Sequence, residues 1–417
     1  MIDINLIREN PERIQKAAKD KNVEVDIQHI LEIDKKYKEL LILVQKIREE
    51  RNVLTSSMRG KPTPEQIEKG KILKEKLEKE ENAMKAVWEE LKLELYKIPN
   101  PAKSDVLVGK NDTENKVLRK VGEPTKFSFK PKDHLEIGEA LDIIDVKRAA
   151  KISGARFYFL KNEGALLEFA LRELAFELLV KEGFTPVLPP VFIKTEVMKG
   201  LGYMEKGGDE DMYIFEKDNL VLVGTAEQSL VSMHEDEVLE EKDLPKRYVG
   251  FSTCFRREAG SYGKDTRGIL RAHQFDKIEM VSFVKQGEDD KEHEYLLSLE
   301  EKLLQALEIP YQVIGICTGD LGFPAARKYD LEAWVPSENK YREVTSTSTT
   351  TDFQSRRLNI KYQEESEKKF VNILNGTAFS TRPIVAILEN YQQEDGSVLI
   401  PKVLQKYLNK EKIIAKK

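Results

Sequence analysis

The chain has 417 residues, of which 34% are charged and 40% hydrophobic, and 68 Lys and Arg face 73 Asp and Glu. This length predicts two or three domains of roughly 100–200 residues, and the near balance of charge gives no sign that the chain as a whole binds nucleic acid. Two cysteines exclude a disulfide framework and a four-cysteine zinc site within one chain, so we expect no zinc. We also expect no membrane contact and a cytoplasmic protein, because no apolar run approaches the ~18 residues of a membrane span and the first residues lack an apolar signal core.

The first hundred residues predict a short helix followed by two long ones. Asn10 and Pro11 favour a helix start, with Asn as the cap, and the helix should run to about Lys19. Two apolar seams with alternating spacings of three and four follow, separated by Thr55–Gln66, whose Gly and Pro residues break a helix. The seams are Ile30, Ile33, Tyr37, Leu40, Val44, Ile47, Arg51 and Leu54, and then Leu73, Leu77, Glu80, Met84, Val87, Leu91, Leu95 and Ile98. Two such seams predict an antiparallel coiled coil with helices of roughly 25–35 residues.

Two roles are open for this predicted arm: a dimerisation or spacer coil, or a probe that contacts an extended partner. Residues 27–98 contain 16 Lys and Arg against 14 Asp and Glu, counted from the sequence. This mild excess permits phosphate contact without requiring it. The candidate nucleic-acid contacts are Arg59, Lys61, Lys69, Lys71 and Lys74. We expect the arm to fill residues 1–100, a linker 101–125, and a second domain 126–417.

The second domain mixes helix and strand signals, which predicts an α+β fold. A helix over Glu163–Glu182 should be capped by Asn162. Two strands, Tyr248–Glu258 and His273–Phe283, flank a loop rich in glycine and basic residues and should form an antiparallel hairpin. Further strands are predicted over Tyr311–Thr318, Tyr329–Val335 and Tyr341–Ser346.

Three local patterns in this domain suggest that it binds an anionic ligand. Arg256 and Glu258, near the end of a strand, could contact a phosphate and an exocyclic amine, or form a surface ion pair. Alternate positions from 271 to 279 share one strand face. This face would either form a shelf that stacks on a base and contacts phosphate, or contain a core Phe275 surrounded by charged side chains. Arg382 precedes a helix, where anions are favoured, unless it is simply solvated.

These patterns lie in order within longer stretches. FRREAGSYGKDTRGILRAHQFDKIEM (255–280), GTAEQSL (224–230), LNGTAFSTRPIVAILENYQQEDGSVLIP (374–401) and Gly183–Pro190 resemble the motifs of the class II aminoacyl-tRNA synthetases, and within them the seryl-tRNA synthetase family. The resemblance covers essentially the whole chain. It implies an α+β fold with an N-terminal antiparallel two-helix coiled-coil arm and a class II antiparallel-sheet catalytic domain with flanking helices. It also implies a homodimer that uses ATP, L-serine, serine tRNA and Mg²⁺; selenocysteine tRNA stays an open alternative.

The resemblance also implies roles for individual residues. Arg256 would bind the α-phosphate, Glu258 would read the adenine amine, and Glu227 would face the ammonium of serine. The serine-binding set is Thr225, Ala226, Glu227, Glu279 and Thr377. The ATP-binding set is Arg256, Arg257, Glu258, Arg271, Ala272, Phe275, Glu343, Val344, Thr345, Ser346 and Arg382, and Glu343 and Ser346 would also hold the metal.

The chain departs from the family pattern at two places, and two other functions predict different features. Thr345-Ser346-Thr347-Ser348 replaces a frequent Ser-Ser-Cys-Ser, and Thr381 stands where a glycine often precedes the motif 3 arginine. A paralogue that activates an amino acid for a carrier protein should lack the arm. A catalytically dead coiled-coil scaffold should lack intact Arg256, Glu258, Glu279 and Arg382.

Overall fold

The structure is a computed structural model that describes residues 1–58, 60–205, 207–259 and 267–415. Contacts within the chain divide it into two compact units, Met1–Pro99 and Asn100–Lys417. Within the described part of the chain, no helix is both long and apolar enough to cross a membrane.

The helices and strands are numbered in chain order. The helices are α1 Ile4–Glu9, α2 Pro11–Asp20, α3 Ile27–Ser57, α4 Pro64–Tyr96, α5 His134–Ala140, α6 Val146–Ser153, α7 Asn162–Lys181, α8 Thr195–Leu201, α9 Ala226–Ser232, α10 Asp289–Ala306, α11 Phe353–Leu358, α12 Arg382–Asn390 and α13 Lys402–Leu408. The strands are β1 Lys116–Val121, β2 Ile144–Asp145, β3 Phe159–Leu160, β4 Thr185–Val187, β5 Phe192–Lys194, β6 Ile214–Phe215, β7 Leu220–Leu222, β8 Val238–Glu240, β9 Lys246–Phe255, β10 Gln274–Val284, β11 Tyr311–Gly315, β12 Arg327–Val335, β13 Lys340–Thr351, β14 Lys361–Glu364, β15 Glu367–Phe370, β16 Asn372–Ser380, β17 Val398–Leu399 and β18 Lys412–Ile413.

The first unit is an antiparallel helical hairpin preceded by two short helices. The Asn10 side chain caps α2, as the sequence predicts. Helices α3 and α4 contain 31 and 33 residues, which confirms the predicted length. The two helices are antiparallel, because later residues of α3 contact earlier residues of α4. Tyr37 packs against Trp88 with tilted rings whose centroids are 5.2 Å apart, and Arg48 pairs with Glu81 at 2.7 Å.

The seam of this hairpin is apolar where both helices have residues at heptad positions. Val44 and Ile47 of α3 pack with Leu73 and Leu77 of α4, and all four side chains are buried. The turn ends in a capping box at the start of α4. The Thr63 side chain accepts a hydrogen bond from the Gln66 backbone N–H, and the Gln66 side chain accepts one from the Thr63 backbone N–H. The heptad spacing therefore predicted both the helices and their pairing.

The second unit is built on an eight-stranded sheet in the order β1-β11-β12-β13-β16-β10-β9-β4. Every neighbouring pair in it is antiparallel except β4 with β9. Helices α7, α10 and α12 contribute buried side chains to the main core beside this sheet. This arrangement confirms the predicted α+β fold.

Residues 101–125, which the sequence analysis assigned to a linker, belong to the second unit and include its edge strand β1. The side chains of β1 are almost all exposed, so the strand carries no apolar alternation by which it could be recognised. A smaller correction concerns Asn162. This residue is the first of α7 rather than its cap, and its amide donates to the carbonyl of Asp142 at 2.9 Å.

Candidate active site

A cavity of about 160 Å³ opens on the sheet beside β10, β13 and β16, and it collects most of the predicted ATP-binding residues. Its lining also includes residues the sequence analysis did not single out, chiefly Lys277 and Lys328. The full lining is Arg256, Glu258, Ile269, Leu270, Arg271, Ala272, Phe275, Lys277, Lys328, Glu343, Val344, Ser346, Thr377, Ser380, Thr381 and Arg382.

Cations and carboxylates are paired around this cavity. Arg382 Nη1 lies 2.9 Å from Glu343 Oε1, and Arg271 Nη1 lies 3.3 Å from Glu258 Oε2. Arg256 donates through Nε and Nη2 to the carbonyl of Gly224, and its guanidinium lies 5.4 Å from the centroid of the Phe275 ring. Three guanidiniums and one aromatic ring therefore converge on a single opening.

A β-bulge explains how Glu343 and Ser346 share one face although they are three residues apart. Leu331 pairs with Thr345 and Glu332 pairs with Glu343, so Val344 is an extra residue on β13. In a regular strand, residues three apart point to opposite faces, and one extra residue restores the match. Burial raises the pKa of Glu343, but Arg382 and Lys328 lower it more, so the group stays ionised with a pKa well below its usual range.

A second bulge acts in the same way on the neighbouring strand β16. Ile278 pairs with Phe379 and Glu279 with Thr377, which leaves Ala378 as the extra residue. Thr377 and Ser380, three residues apart, both line the cavity as a result. The Thr377 hydroxyl lies 3.4 Å from Glu279 Oε2, on the adjacent strand β10.

Two buried acids, Glu227 and Glu279, lie behind the cavity and are 3% and 1% exposed. We call this inner part of the site its buried end. Lys277 connects it to the cavity: its ammonium lies 2.7 Å from Glu279 Oε2 and donates to the Thr225 hydroxyl at 3.3 Å. Burial raises the pKa of both carboxyl groups, and the charge of Glu279 raises that of Glu227 further. Two side chains outside the predicted set, Tyr203 and Gln354, donate hydrogen bonds to Glu227.

Some of the predicted residues are not brought to the cavity. The Arg257 guanidinium lies over the Tyr213 ring at 5.7 Å and is exposed. The Thr345 hydroxyl points to the opposite side of the sheet and donates to Glu300 Oε2 at 2.9 Å. Thr225 caps α9 and Ala226 is its first residue; both are buried next to Glu227 and do not line the opening.

The predicted nucleic-acid contacts belong to the first unit. Lys61, Lys69, Lys71 and Lys74 are exposed at the turn and along the first part of α4. Arg59 lies outside the described residues. His273, which the alternation placed on the shelf, precedes β10 and packs against Phe157 instead, with tilted rings whose centroids are 5.3 Å apart.

The donors at the cavity suit a hard cation bound together with phosphate. Mg²⁺ prefers oxygen ligands and usually takes one or two carboxylates, with substrate phosphates completing its shell. Glu343 supplies an ionised carboxylate and Ser346 a hydroxyl on the same face. Among the described residues, no group of three or more His, Cys, Asp and Glu is arranged to hold a metal ion by itself.

Comparisons with known proteins agree over the full length of the chain. Residues 1–102 match the family described as "Seryl-tRNA synthetase N-terminal domain", and residues 213–391 match "tRNA synthetase class II core domain (G, H, P, S and T)". The serine–tRNA ligases of Thermobifida fusca and Dictyoglomus turgidum are 45% and 43% identical, with 100% of each chain covered.

Solved structures give the same result. The seryl-tRNA synthetase of Pyrococcus horikoshii complexed with ATP has a TM-score of 0.92 and 39% identity, and both chains are covered in full. The cytoplasmic serine–tRNA ligase of Naegleria fowleri in complex with AMP has a TM-score of 0.89 and 31% identity, covering 100% of this chain and 99% of the other.

Proposed function

The chain belongs to the seryl-tRNA synthetase family, and we propose that its cavity binds ATP while the buried end at Glu227 and Glu279 binds L-serine. Its activity is that of a serine–tRNA ligase. L-serine and ATP give seryl-adenylate and pyrophosphate, and the seryl group is then transferred to the 3′-terminal adenosine of serine tRNA. The observation that carries the site assignment is the convergence of three arginines and Phe275 on one opening, with Glu258 beside them.

The charges of the cavity suit a triphosphate. One arginine–phosphate contact at ~4 Å and an effective dielectric constant of ~20 has a gross Coulomb energy of roughly 4 kcal/mol. Arg256 is the candidate for the α-phosphate, because it lines the cavity and its charge also acts on Glu279 at the buried end. Arg271 and Arg382 are the candidates for the β- and γ-phosphates, and Phe275 offers its ring to the adenine.

The buried end suits a small amino acid with an ammonium and a hydroxyl. Two carboxylates, one lysine and the Thr377 hydroxyl stand close together there. Glu227 is assigned to the ammonium, and Glu279 with Thr377 to the hydroxyl. A site that pairs buried groups with a hydroxyl rejects an analogue lacking it, such as alanine, by ~10⁴–10⁵.

Glu343 and Ser346 would hold Mg²⁺ together with ATP. Bound there, the ion would neutralise charge on the phosphate oxygens. Arg382 keeps the Glu343 carboxylate ionised and fixes its direction through the 2.9 Å ion pair.

No protein nucleophile is required for the first step. A carboxylate oxygen of serine attacks the α-phosphorus of ATP, and the bond from that phosphorus to the bridging oxygen breaks to release pyrophosphate. The residues contribute alignment of the two substrates and stabilisation of the charge that develops on phosphate. We assign both tasks to Arg256.

We assign serine tRNA binding to the helical hairpin and a homodimer to the second unit. Exposed lysines of α4 supply the cations for tRNA phosphates. Large apolar side chains on and near α7 stay exposed, with Leu188 80%, Phe169 50% and Leu166 44% exposed, and a second copy is the partner that would cover them. On this assignment Phe169→Glu yields a slower-sedimenting species than the wild type. We place the protein in the cytoplasm, where tRNA is charged.

The test compares two neighbouring arginines. Arg256→Ala should lose serine-dependent ATP–pyrophosphate exchange, whereas Arg257→Ala should keep it, because that guanidinium lies away from the cavity over Tyr213. Charging of purified serine tRNA separates the ligase from a carrier-protein paralogue. Exchange that survives equally in both variants would refute the site, and no exchange by the wild type would favour the scaffold.

A further inference from the structure

The carboxylate of Glu227 already receives hydrogen bonds from two side chains of the protein. The Tyr203 hydroxyl lies 2.8 Å from Oε1 and 2.9 Å from Oε2, so one donor spans both oxygens. The Gln354 amide donates to Oε1 at 3.2 Å and also to the carbonyl of Leu201 at 3.3 Å. Neither residue belongs to a motif that carried the family resemblance.

This carboxylate needs donors if it is to stay charged. Glu227 is 3% exposed, and its pKa is raised first by burial and then by the nearby charge of Glu279. The groups around these two acids include Lys277, whose ammonium is paired with Glu279 at 2.7 Å, and Arg256 on the side of the cavity. The carboxyl group of Glu300 also faces Glu279, and burial raises its pKa well above the ordinary value. A carboxylate that took up a proton here would lose most of its attraction for an ammonium.

Tyr203 keeps its own proton under these conditions. Burial, followed by the charge of Glu227, raises the pKa of its hydroxyl well above the ordinary value. The hydroxyl therefore stays a donor, and its hydrogen bonds to Glu227 favour the charged form of that carboxylate.

The backbone around Tyr203 is fixed by features that are specific to this position. Gly202 ends α8 in a left-handed conformation with φ of 85°, and a Cβ there would lie 2.9 Å from Cε1 of Phe353. The Arg357 side chain, 0% exposed, lies over the Phe353 ring at 4.4 Å, pairs with Glu205 and donates to the carbonyl of Lys199. These contacts fix the chain before and after Tyr203, whose hydroxyl reaches the Glu227 carboxylate.

We propose that Tyr203 is a positioning residue for L-serine, which holds the Glu227 carboxylate charged and in place for the substrate ammonium. The inference rests on the proposed function, because it takes Glu227 as the partner of that ammonium. Gln354 assists by donating to the same oxygen, Oε1, and by tying Glu227 to the carbonyl of Leu201 at the end of α8.

The experiment compares Tyr203→Phe with Tyr362→Phe in the full chain. Tyr362 is buried in the same apolar cluster, and its hydroxyl contacts Glu364 at 3.4 Å, away from the cavity. Tyr203→Phe removes a hydrogen bond to a charged group, and this loss should lower kcat/KM for serine by about 10-fold or more. The loss should appear mainly in the serine KM, with the ATP KM within twofold of the control.

The pH profile gives a readout that a merely structural role would not move. Without the phenol, the pKa of Glu227 rises further, so the acidic limb of kcat/KM for serine shifts to higher pH in Tyr203→Phe and stays in place in Tyr362→Phe. A serine kcat/KM within twofold of the control, or a loss with no shift of the acidic limb, would overturn the proposal.

A third variant separates this inference from the proposed function. Glu227→Gln should lose serine activation if Glu227 binds the ammonium. Retained serine activation in Glu227→Gln would refute the serine assignment itself. Loss in Glu227→Gln, together with control-like behaviour of Tyr203→Phe, would refute only the role of Tyr203.

Discussion

Replacing Arg382 by alanine should slow adenylate formation by about 10²-fold and leave the fold intact. The gross attraction between one guanidinium and a phosphate at ~4 Å is roughly 4 kcal/mol at an effective dielectric constant of ~20. The Arg382 side chain is 28% exposed, and Lys328 and Arg271 remain in the cavity, so we expect about 3 kcal/mol of that to be lost. This loss corresponds to about a hundredfold in rate, within the range seen when one aligned donor is removed.

The variant should stay folded with a modest loss of stability. The lost ion pair with Glu343 is partly exposed, and such pairs contribute about 0–1 kcal/mol, while the carbonyls of Leu270 and Glu343 each lose one donor. The assay is serine-dependent ATP–pyrophosphate exchange, with thermal melting of each variant. Arg119→Ala is the matched control. Arg119 lies on the edge strand β1 and, like Arg382, is paired with a glutamate, here Glu301. Arg382→Lys should recover part of the rate by keeping the charge while losing the planar fork. Exchange by Arg382→Ala within threefold of the control would refute the reasoning and return this arginine to a solvated role.

Three other perturbations test the buried end, a buried acid under the sheet and the hairpin. Glu279→Ala should lower kcat/KM for serine by at least 10³-fold and keep the ATP KM within a few fold, because Glu279 lies with Lys277 at the buried end; near wild-type serine activation would show that the assignment is wrong. Burial raises the pKa of the Glu300 carboxyl group well above its ordinary value, so the folded state binds the carboxyl proton more tightly than the unfolded state. The protonated carboxyl group therefore favours folding at low pH, and this contribution to stability is lost as the pH rises above the pKa of the unfolded state. The melting temperature of Glu300→Gln relative to the wild type should therefore increase from pH 5 to pH 8, and a constant difference would contradict the burial argument. Replacing residues 30–98 with a short flexible linker should retain serine-dependent exchange but largely abolish charging of serine tRNA, and charging by the intact chain should weaken with salt; charging at wild-type kcat/KM would reduce the hairpin to a spacer, and loss of both activities would make it structural.

The helical hairpin could be predicted from the sequence in most respects, because a heptad seam is a local signal. Val44, Ile47, Leu73 and Leu77 occupy the positions that the spacing of three and four assigns to the interface, and they are buried there. The edge strand β1 could not be predicted. Its side chains face solvent, so the alternation that identifies a half-buried strand is missing.

Only part of the candidate site could likewise be predicted from the sequence. Phe275 and Lys277 lie on one face of β10 as strict alternation requires, so Lys277 could have been found from the pattern. Tyr203 and Gln354 could not, because they lie 24 and 127 positions from Glu227 in the sequence and meet it only through the tertiary fold. Arg257 shows the opposite limit, since adjacency to Arg256 does not put its guanidinium in the cavity.

The irregular backbone and the arginine of the site depend on each other. A bulge on β13 leaves carbonyl groups near Val344 outside the regular ladder, and buried carbonyls need donors. The Ser380 hydroxyl donates to the carbonyl of Val344 at 3.3 Å, and Arg382 Nη1 donates to the carbonyl of Glu343 at the same distance. The backbone N–H of Arg382 donates in turn to the Ser380 hydroxyl. The bulge that brings Glu343 and Ser346 to one face thus also orients the Arg382 guanidinium at the cavity.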